Sequence, residues 1–390
     1  MSMPIVRLKE IAKFVNGKAF QPTDWSEEGI PIIRIQNLND SGKPFNHWAG
    51  SLDRQVCVAS NSLLLAWSGT PGTSFGAHIW DGPSAVLNQH IFRVDLCEDV
   101  ITKQWAKFAI NSKLNTLIGL AHGGVGLKHV TKSMVEELEI PLPSLSEQRR
   151  IAAILNQADR LRARRREALA QLDELQQSIF IEMFGDPGNN PLMWSKRRLG
   201  ELIEGKPNNG IFKKNEEYGM GLPVVWVEEL FRGNTVSVSK SRRLKPTDRE
   251  VEQYGLKNGD ILFCRSSLKL DGIGYNNVYL GEDNDALFEC HVIRISPDKA
   301  KVVPEFLNFA LRMPSQRQIL FKYAKTVTMS TIDQDGLLKI ALPVPPLDLQ
   351  VAFKLQLGAI DEIRKNHLLA LSQHEGLVAS LQHCAFEGNI

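Results

Sequence analysis

The sequence predicts a mixed α/β fold, built as two domains in tandem duplication and separated by two long antiparallel helices that form an intramolecular coiled coil. Three observations lead to this prediction. The second half of the chain repeats the first, each copy alternates short β-rich runs with turn residues, and each copy ends in a long helical pattern. The length of 390 residues and the 43% of hydrophobic residues suit two or three folded domains and exclude wholesale disorder.

The internal repeat is visible as pairs of segments whose spacing grows from 191 to 202 residues along the chain. A spacing that only grows is what insertions in the loops of the second copy would produce. The pairs are LKEI at 8 with LGEL at 199, GIPIIRIQNL at 29 with GLPVVWVEEL at 221, LLLAWS at 63 with ILFCRS at 261, HIFRV at 90 with HVIRI at 291, and IPLPSLSEQ at 140 with LPVPPLDLQ at 342.

Each copy has the composition of an α/β domain that leads into a long helix. Gly, Asn, Asp and Pro separate the β-rich runs, and a short helix is predicted at Thr102–Ser112 in the first copy and at Pro304–Arg312 in the second. A Pro-x-Pro sequence closes each copy, at residues 141–143 and 343–345, and gives a rigid extended lead-in to the next helix.

The first long helix is predicted from Ser146, as its N-cap, to Gly185, and the second from Asp348 toward Phe386. Apolar residues at alternating spacings of three and four indicate a coiled-coil seam on both helices. The predicted seam residues are Ile154, Leu161, Leu172, Leu175, Ile179, Ile360, Ile363, His367, His374, Leu377 and Leu381. Two separate helices, each packed on its own domain, remain the alternative. The two seam histidines are either a metal or pH-sensitive element or polar residues that specify the pairing.

These features divide the chain into four segments: a first domain at 1–145, a first helix at 146–185, a second domain at 186–347 and a second helix at 348–390. Because the net charge is only +2, any binding to DNA must be local or shared with a partner. We expect a cytoplasmic protein, since the sequence contains neither a secretion signal nor an apolar run of 18 residues.

Sequence motifs for catalysis are missing. The chain has no G-x-x-x-x-G-K-[ST] phosphate loop, no G-x-S-x-G elbow and no H-E-x-x-H pair. The five cysteines are scattered without a C-x-x-C pair, which argues against a zinc site and predicts no metal in this chain. We therefore expect a chain that is not itself an enzyme.

Three stretches taken together resemble the specificity (S, HsdS) subunits of type I restriction-modification systems. They are the duplicated GIPIIRIQNL and GLPVVWVEEL runs, PLPSLSEQRRIAAIL from Pro141, and IFIEMFGDPGNNPLMW from Ile179. The resemblance covers nearly the whole chain. It implies two target-recognition domains, each reading one half of a bipartite site in double-stranded DNA, with the helices setting the spacer between the halves.

The resemblance also implies partners. The chain would be a non-catalytic scaffold for two methyltransferase (M) subunits and for restriction/translocase (R) subunits, and those partners would carry the S-adenosylmethionine, ATP and Mg²⁺ sites. Two classes of function compete with this interpretation. One is a protein-interaction scaffold without DNA specificity, and the other is a self-contained methyltransferase or nuclease, whose N-P-P-[FY]-type motif is missing.

Residues that could contact DNA follow from their chemistry and from their place beside the repeated strands, because Arg pairs with guanine and Gln or Asn pairs with adenine. The candidates for base contacts are Arg34, Gln36, Asn37, Glu228, Arg265, Ser266 and Ser267. The candidates for contacts to the DNA backbone are Lys128, His129, Lys213, Lys214, Arg242, Arg243, Ser330 and Thr331. For each candidate alone, an ordinary surface residue remains the alternative.

Overall fold

The computed structural model describes residues 3–40, 42–50, 56–69, 75–120, 128–326 and 330–387. The chain forms two compact units, one made of Met1–Glu167 with Leu368–Ile390 and the other made of Ala168–His367. Each unit contains one α/β domain and a part of each of two long helices, Leu145–Phe184 and Leu347–Glu387. The helix bounds agree with the predicted bounds to within one or two residues.

The first unit contains an antiparallel four-stranded sheet in the order Ala12–Asn16, Ile91–Leu96, Ser62–Ala66, Gly76–Trp80. A second four-stranded sheet has the order Asn46–Trp48, Ile30–Ile33, Ala85–Leu87, Cys57–Val58, and its two inner strands are parallel. Two short antiparallel ladders pair Ile5–Arg7 with Glu139–Pro141 and Ser68–Gly69 with Lys128–His129. Short helical segments occupy Leu8–Ile11, Pro22–Asp24, Ile35–Asn39, Lys103–Ser112, Leu114–Leu120 and Lys132–Glu136.

The second unit repeats this arrangement. Its four-stranded antiparallel sheet has the order Ile203–Asn209, Val292–Pro297, Ile261–Cys264, Asn276–Val278, and a second sheet has the order Arg243–Leu244, Tyr218–Val225, Leu287–Phe288. Short ladders join Lys196–Arg198 to Ala341–Pro343, and Ser330–Thr331 to both Ser266–Ser267 and Lys325–Thr326. Helical segments occupy Leu199–Glu201, Asn215–Glu217, Val227–Leu230, Asp248–Tyr254, Leu270–Gly272, Pro304–Arg312, Pro314–Phe321 and Gln334–Leu338.

Equivalent strands therefore pair in the same way in both units. Ile32 pairs in parallel with Val86 in the first unit, and Val224 pairs in parallel with Leu287 in the second. The predicted tandem duplication is confirmed at the level of strand order. The two predicted short helices are confirmed as well, since Thr102 caps Lys103–Ser112 and the second helix is Pro304–Arg312.

Two equivalent glycines show why the repeat retains some residues. Gly29 has a φ of 132° and Gly221 a φ of 114°. A Cβ atom would lie 2.5 Å from the Trp48 carbonyl oxygen at Gly29, and 2.2 Å from the Leu244 carbonyl oxygen at Gly221. Only glycine fits a left-handed backbone that approaches a neighbouring strand so closely. The glycine that the two copies share at this position is thus required by the backbone.

Each domain is joined to the start of its long helix by a fully buried glutamine. Gln148 Oε1 accepts a hydrogen bond from the Thr102 N–H at 2.8 Å, and Gln350 Oε1 accepts one from the Val303 N–H at 2.8 Å. The Nε2 group of Gln350 donates to the Pro345 carbonyl at 2.7 Å. These bonds satisfy backbone groups that would otherwise be buried without partners. The glutamine that the two copies share is therefore a structural link between the domain and its helix.

The long helices run antiparallel within each unit. In the first unit Arg166 forms an ion pair with Glu375 at 3.0 Å, and the Phe386 ring packs on Trp105 at 4.9 Å. In the second unit Arg364 forms an ion pair with Asp173 at 2.6 Å, and the Phe353 ring lies 5.4 Å from Phe180. The predicted pairing of two long antiparallel helices is confirmed, and the alternative of two separate helices is wrong.

The structure corrects the composition of the predicted seam. Predicted seam residues that are exposed, with their exposed fractions, are Ile154 (40%), Leu161 (41%), Leu175 (45%), Ile363 (48%) and Leu377 (55%). Their chain neighbours Leu155, Gln176 and Val378 are buried instead. The remaining predicted seam residues are buried or half-buried: Leu172, Ile179, Ile360, His367, His374 and Leu381.

A buried polar layer explains the error. Gln176 is 2% exposed, and its amide bonds to Asp361 at 3.3 Å and to Asn234 at 3.1 Å. A search for apolar residues at heptad spacing passes over such a glutamine and chooses the exposed leucine beside it. The helix start is corrected in the same way: Ser144 rather than Ser146 caps the first long helix, since its Oγ accepts from the Glu147 N–H at 3.4 Å.

Candidate nucleic-acid interface

The two domains build an equivalent backbone frame around Trp67 in the first copy and Arg265 in the second. The Trp67 N–H donates to the His90 carbonyl at 3.3 Å, and the Arg265 N–H donates to the His291 carbonyl at 2.8 Å. On the other side, the Trp67 carbonyl accepts from the Val130 N–H at 3.1 Å, and the Arg265 carbonyl accepts from the Ile332 N–H at 3.0 Å. Because only main-chain atoms make these bonds, the side chain at this position can change without changing the frame.

In the first domain the frame carries an aromatic and histidine cluster. The Trp67 ring is half-buried and stacks on Phe92 at 5.4 Å, with the His90 ring 5.5 Å and the His129 ring 6.2 Å away. His129 is exposed, and its Nδ1 is hydrogen-bonded to Ser68 Oγ at 2.8 Å. Burial lowers the pKa of His90, and the nearby His129 lowers it further. This surface offers aromatic faces and imidazole groups.

In the second domain the same frame carries a cation and hydroxyl groups. Arg265 is exposed, and its Nη1 donates to the Cys290 carbonyl at 3.2 Å. Ser266 Oγ is hydrogen-bonded to His291 Nδ1 at 3.0 Å, and Ser267 Oγ accepts from the Lys269 N–H at 3.1 Å. Both serines therefore order the loop in addition to offering hydroxyl groups. Within the part of the chain that the structure describes, the guanidinium makes this one hydrogen bond, which leaves four of its five N–H donors for a ligand.

Four of the predicted backbone-contact residues lie in the short ladders Lys128–His129 and Ser330–Thr331, next to Trp67 and Arg265. His129 pairs with Ser68, and Thr331 pairs with Ser266, at equivalent places in the two copies. Thr331 is exposed, whereas Ser330 is only 4% exposed and is less suited to a phosphate contact. Lys128 lies in the first ladder, and its side chain falls outside the part of the chain that the structure describes.

A second pair of equivalent positions surrounds the short helices Ile35–Asn39 and Val227–Leu230. Gln36 and Glu228 are both exposed on these helices, and Glu228 forms an ion pair with Arg232 at 3.2 Å. Arg34 lies over the Trp25 ring at 5.4 Å. In the second copy Trp226 takes the place of Arg34, and Arg242 lies over its ring at 4.7 Å. Both copies thus combine an arginine with a tryptophan here, using different residues.

The prediction of a base contact does not fit Asn37. Its side chain is 4% exposed, its Oδ1 accepts from the Arg34 N–H at 3.1 Å, and its Nδ2 donates to the Lys43 carbonyl at 3.1 Å. Glu229, which is 1% exposed, takes the same role in the second copy by accepting from the Trp226 N–H at 2.8 Å. Asn37 is the third residue of the helix and its side chain bonds back to the N-cap residue Arg34, so with Nδ2 donating to the Lys43 and Pro44 carbonyls the amide group is already used.

The remaining basic candidates differ in exposure and in whether a partner within the protein already contacts the charged group. Lys213 lies 3.3 Å from Glu217 and 3.0 Å from Glu250, so its charge is already matched and the predicted phosphate contact is disfavoured. Lys214 is exposed. Arg243 Nη1 donates to the Gly221 carbonyl at 2.8 Å, which leaves most of its guanidinium available.

Sequence reasoning missed the residues that support these surfaces, in particular His90, His291 and Glu289. The histidine that begins both HIFRV and HVIRI could have indicated them, because both copies have it at the turn beside Trp67 or Arg265. Among the described residues, Glu289, Cys290 and His291 are also the group whose potential ligand atoms lie within 4.8 Å of one another. Glu289 and His291 bond within the protein, so these side chains serve the turn.

The two α/β domains thus share one backbone frame and expose different side chains on it. Comparisons with known proteins show which proteins this chain resembles. Residues 3–172 match the family model described as type I restriction modification DNA specificity domain. The chain is 24% identical to the type I restriction enzyme EcoBI specificity subunit of Escherichia coli, over 99% of this chain and 85% of that protein. It is 22% identical to the MjaVIII specificity subunit of Methanocaldococcus jannaschii, over 92% and 86% of the two chains.

Solved structures agree in fold. The type I restriction-modification S subunit from M. genitalium matches with a TM-score of 0.56 at 16% identity, over 99% of this chain and 96% of that one. A chain from a structure of complex assembly and conformational transition in the type I R-M system matches with a TM-score of 0.52 at 17% identity, over 100% and 98% of the two chains.

The chain is thus similar over nearly its whole length to specificity subunits of type I restriction enzymes, and its residues 3–172 match the DNA specificity domain of type I restriction-modification systems. The predicted resemblance and the predicted fold class are confirmed. The relatives that it resembles are named as specificity subunits of type I restriction enzymes. No helix among the described residues is long and apolar enough to cross a bilayer.

Proposed function

We propose that each α/β domain reads one half of a bipartite DNA target and that the paired long helices set the spacer between the halves. The observation that supports this proposal is the shared frame around Trp67 and Arg265, which holds two chemically different side chains on equivalent main-chain bonds. Two readers with different half-sites need such an arrangement. A scaffold that binds two copies of one protein would need equal surfaces on the two domains instead.

Energetics favours two readers over one. A mismatched base pair costs about 1–3 kcal/mol, so a reader of three or four base pairs discriminates poorly against a genome of competing sites. Two readers on one chain add their free energies of discrimination and so multiply their selectivities. One added helical turn lengthens a helix by about 5.4 Å, against about 3.4 Å per base-pair step, so the helices can fix the number of unread base pairs.

The structure divides the candidate contacts by exposure and pairing. For base contacts we propose Arg34 and Gln36 in the first domain and Glu228, Arg265, Ser266 and Ser267 in the second. For contacts to the DNA backbone we propose Lys128, His129, Lys214, Arg242, Arg243 and Thr331. Asn37, Lys213 and Ser330 are the weakest of the original candidates, because the amide group of the first is already used, the second is ion-paired and the third is buried.

The long helices offer apolar surface to partner subunits. Leu355 is 70% exposed, Leu369 is 61% exposed and Leu377 is 55% exposed, although each lies on a helix that is already paired. Exposed leucines at this density are typical of a surface that a partner covers. We propose that two methyltransferase (M) subunits bind these helices and that restriction (R) subunits join the assembly. These partners would supply the S-adenosylmethionine, ATP and Mg²⁺ sites.

The small net charge of +2 fits a shared DNA interface, since partner subunits would then neutralise much of the phosphate charge. We expect the isolated chain to bind DNA weakly. Together with its partners it would act on DNA in the cytoplasm.

Modification mapping tests the proposal. The chain is co-expressed with its methyltransferase subunit in a host free of DNA methylation, and the host DNA is sequenced for modified adenines. A split motif with a fixed gap is the expected result. If the complex assembles and is active but modifies DNA without any motif, the competing function, a protein-interaction scaffold, takes the place of the proposal.

An Arg265→Ala variant refines the same experiment. We expect modification to relax at one base pair of one half-site, by about 1–3 kcal/mol of discrimination, while the other half-site is unchanged. Uniform weakening at all sequences would instead assign Arg265 to a phosphate contact.

A further inference from the structure

A buried carboxylate supports the turn beside Arg265. Glu289 is 2% exposed, and its Oε2 accepts a hydrogen bond from the His291 N–H at 2.8 Å. Its main-chain N–H donates to the Val225 carbonyl at 3.0 Å, and its own carbonyl accepts from the Val292 N–H at 3.0 Å. The side chain therefore closes a turn whose main chain is already tied to two strands, which fixes the turn in one conformation.

The same turn holds Arg265 by two hydrogen bonds and the next residue by a third. The Arg265 N–H donates to the His291 carbonyl at 2.8 Å, and its Nη1 donates to the Cys290 carbonyl at 3.2 Å. The next residue, Ser266, bonds to the His291 ring at 3.0 Å. Any movement of the turn would thus move the exposed guanidinium. An arginine that reads a base needs its planar fork in a fixed orientation.

Charge also connects the two residues. Glu289 Oε1 is buried and has no hydrogen-bond partner among the described residues. Burial raises the pKa of Glu289, whereas the His291 N–H bond and the positive charge of Arg265 oppose the rise. Burying an ionised carboxylate costs free energy unless it is paired or hydrogen-bonded. The positive charge of the nearby arginine offsets part of this cost.

The first domain supplies an internal comparison. Its equivalent turn has the same main-chain bonds, from the Asn88 N–H to the Ile33 carbonyl at 3.1 Å and from the Ile91 N–H to the Asn88 carbonyl at 3.2 Å. An amide, Asn88, takes the place of Glu289 in the copy where Trp67 takes the place of Arg265. The acid is thus present in the copy that has the arginine, and the main-chain bonds of the turn form in the other copy without an acid.

We infer that Glu289 is a specificity-positioning residue of the second domain, which acts through the turn Glu289–His291 to orient the Arg265 guanidinium toward its base. Glu289 does not touch DNA in this arrangement. The inference rests on the proposed function, because it assigns a further residue to the reading of the second half-site.

The test uses the full chain co-expressed with its methyltransferase subunit and modification mapping of four variants: Arg265→Ala, Glu289→Ala, Glu289→Gln and the double variant Arg265→Ala with Glu289→Ala. Glu289→Gln keeps the shape and an oxygen acceptor for the His291 N–H but removes the charge. Asp260→Asn is the matched control. Asp260 is a buried acid of the same domain, 1% exposed, and its Oδ1 accepts a hydrogen bond from Ser296 Oγ. It directly precedes the strand Ile261–Cys264, whereas Arg265 directly follows this strand.

We expect Glu289→Ala to relax modification at the base pair that Arg265→Ala relaxes, by about tenfold, with the first half-site unchanged. Glu289→Gln should relax the same base pair less, and this variant decides the test if the alanine variant fails to fold. The double variant should relax no further than Arg265→Ala alone, because both changes remove one interaction. Asp260→Asn should leave the motif intact.

Two outcomes would overturn the inference while the proposed function stands. One is a Glu289 variant that folds and keeps full discrimination in the second half-site. The other is a uniform loss of modification at every site, as a merely structural residue would cause. If the wild-type chain yields no bipartite motif, the proposed function itself fails, and that result is distinguishable from both.

Discussion

The frame around Trp67 in the first domain and the frame around Arg265 in the second have the same main-chain hydrogen bonds but carry different side chains. Both positions are held by a main-chain bond to a histidine carbonyl and by a second main-chain bond, from Val130 in the first copy and from Ile332 in the second. The first copy presents stacked rings, and the second presents a cation with hydroxyl groups. A frame held by main-chain atoms tolerates replacement of its side chains. Specificity can therefore change in one domain without new architecture.

The largest effect should come from Gly221, the glycine that lies in the strand Tyr218–Val225 and is equivalent to Gly29. Gly221→Val would place a Cβ atom 2.2 Å from the Leu244 carbonyl oxygen, on a backbone with a φ of 114°. We expect a loss of about 4 kcal/mol or more in the free energy of unfolding, measured by denaturant titration. Gly219→Ala is the control, because no atom lies within 4 Å of its Cβ position. Equal stability of the two variants would refute the close approach.

The buried glutamines should have the next largest effect. Gln350→Leu leaves the Val303 N–H and the Pro345 carbonyl without partners, and we expect it to cost about 2–4 kcal/mol of unfolding free energy. Gln148→Leu should cost at least as much, since Gln148 also donates to both Val100 and Pro143. Gln171→Leu, at an exposed helix position, is the control. A Gln350 variant as stable as this control would show that the domain is not tied to its helix in this way.

A third prediction separates the two domains by acid sensitivity. Burial, with a contribution from Lys107, lowers the pKa of His78 from 6.5 to about 4, whereas Asn277 is the equivalent residue in the second domain. Unfolded His78 binds its proton more readily, so this contribution to stability is complete above pH 6.5 and is lost as the pH falls toward 4. The loss is up to about 3 kcal/mol. His78→Asn should remove it, as seen by comparing unfolding free energies at pH 7 and pH 4.5. An unchanged pH dependence would contradict the prediction.

The smallest effect on stability should come from the exposed helix face. Leu377→Asp should change the unfolding free energy by no more than about 0.5 kcal/mol, because the side chain is 55% exposed, but it should weaken assembly with the methyltransferase subunit. Leu155→Asp, at a position 1% exposed, is the contrasting variant and should unfold the chain. Co-purification and thermal unfolding measure both. Full assembly of the Leu377 variant would exclude that leucine from the partner surface.

Much of the fold could be predicted from the sequence because its signals are local. The repeat, the Pro-x-Pro exits and the capping residues located Leu145–Phe184, Leu347–Glu387 and Pro304–Arg312 to within a residue or two. The phase of the seam was wrong at Leu161 and Leu175, since a buried polar residue such as Gln176 carries no hydrophobic signal.

The candidate site was less predictable because it depends on contacts across the domain. The Nδ2 group of Asn37 is occupied by the Lys43 carbonyl, which lies beyond the helix, and the charge of Lys213 is matched by Glu250, which lies 37 positions away in the chain. Neither relation appears in local patterns. The framing role of His90 and His291 could have been suspected, because both copies retain a histidine there.

A domain exchange tests the central claim most directly. Residues 1–145 are replaced by the equivalent domain of a relative with a different target, and the modified DNA motif is mapped in the complex with the methyltransferase subunit. The account predicts that one half of the motif changes while the other half and the gap remain. A change in both halves, or no change at all, would contradict the claim that two independent readers share one frame.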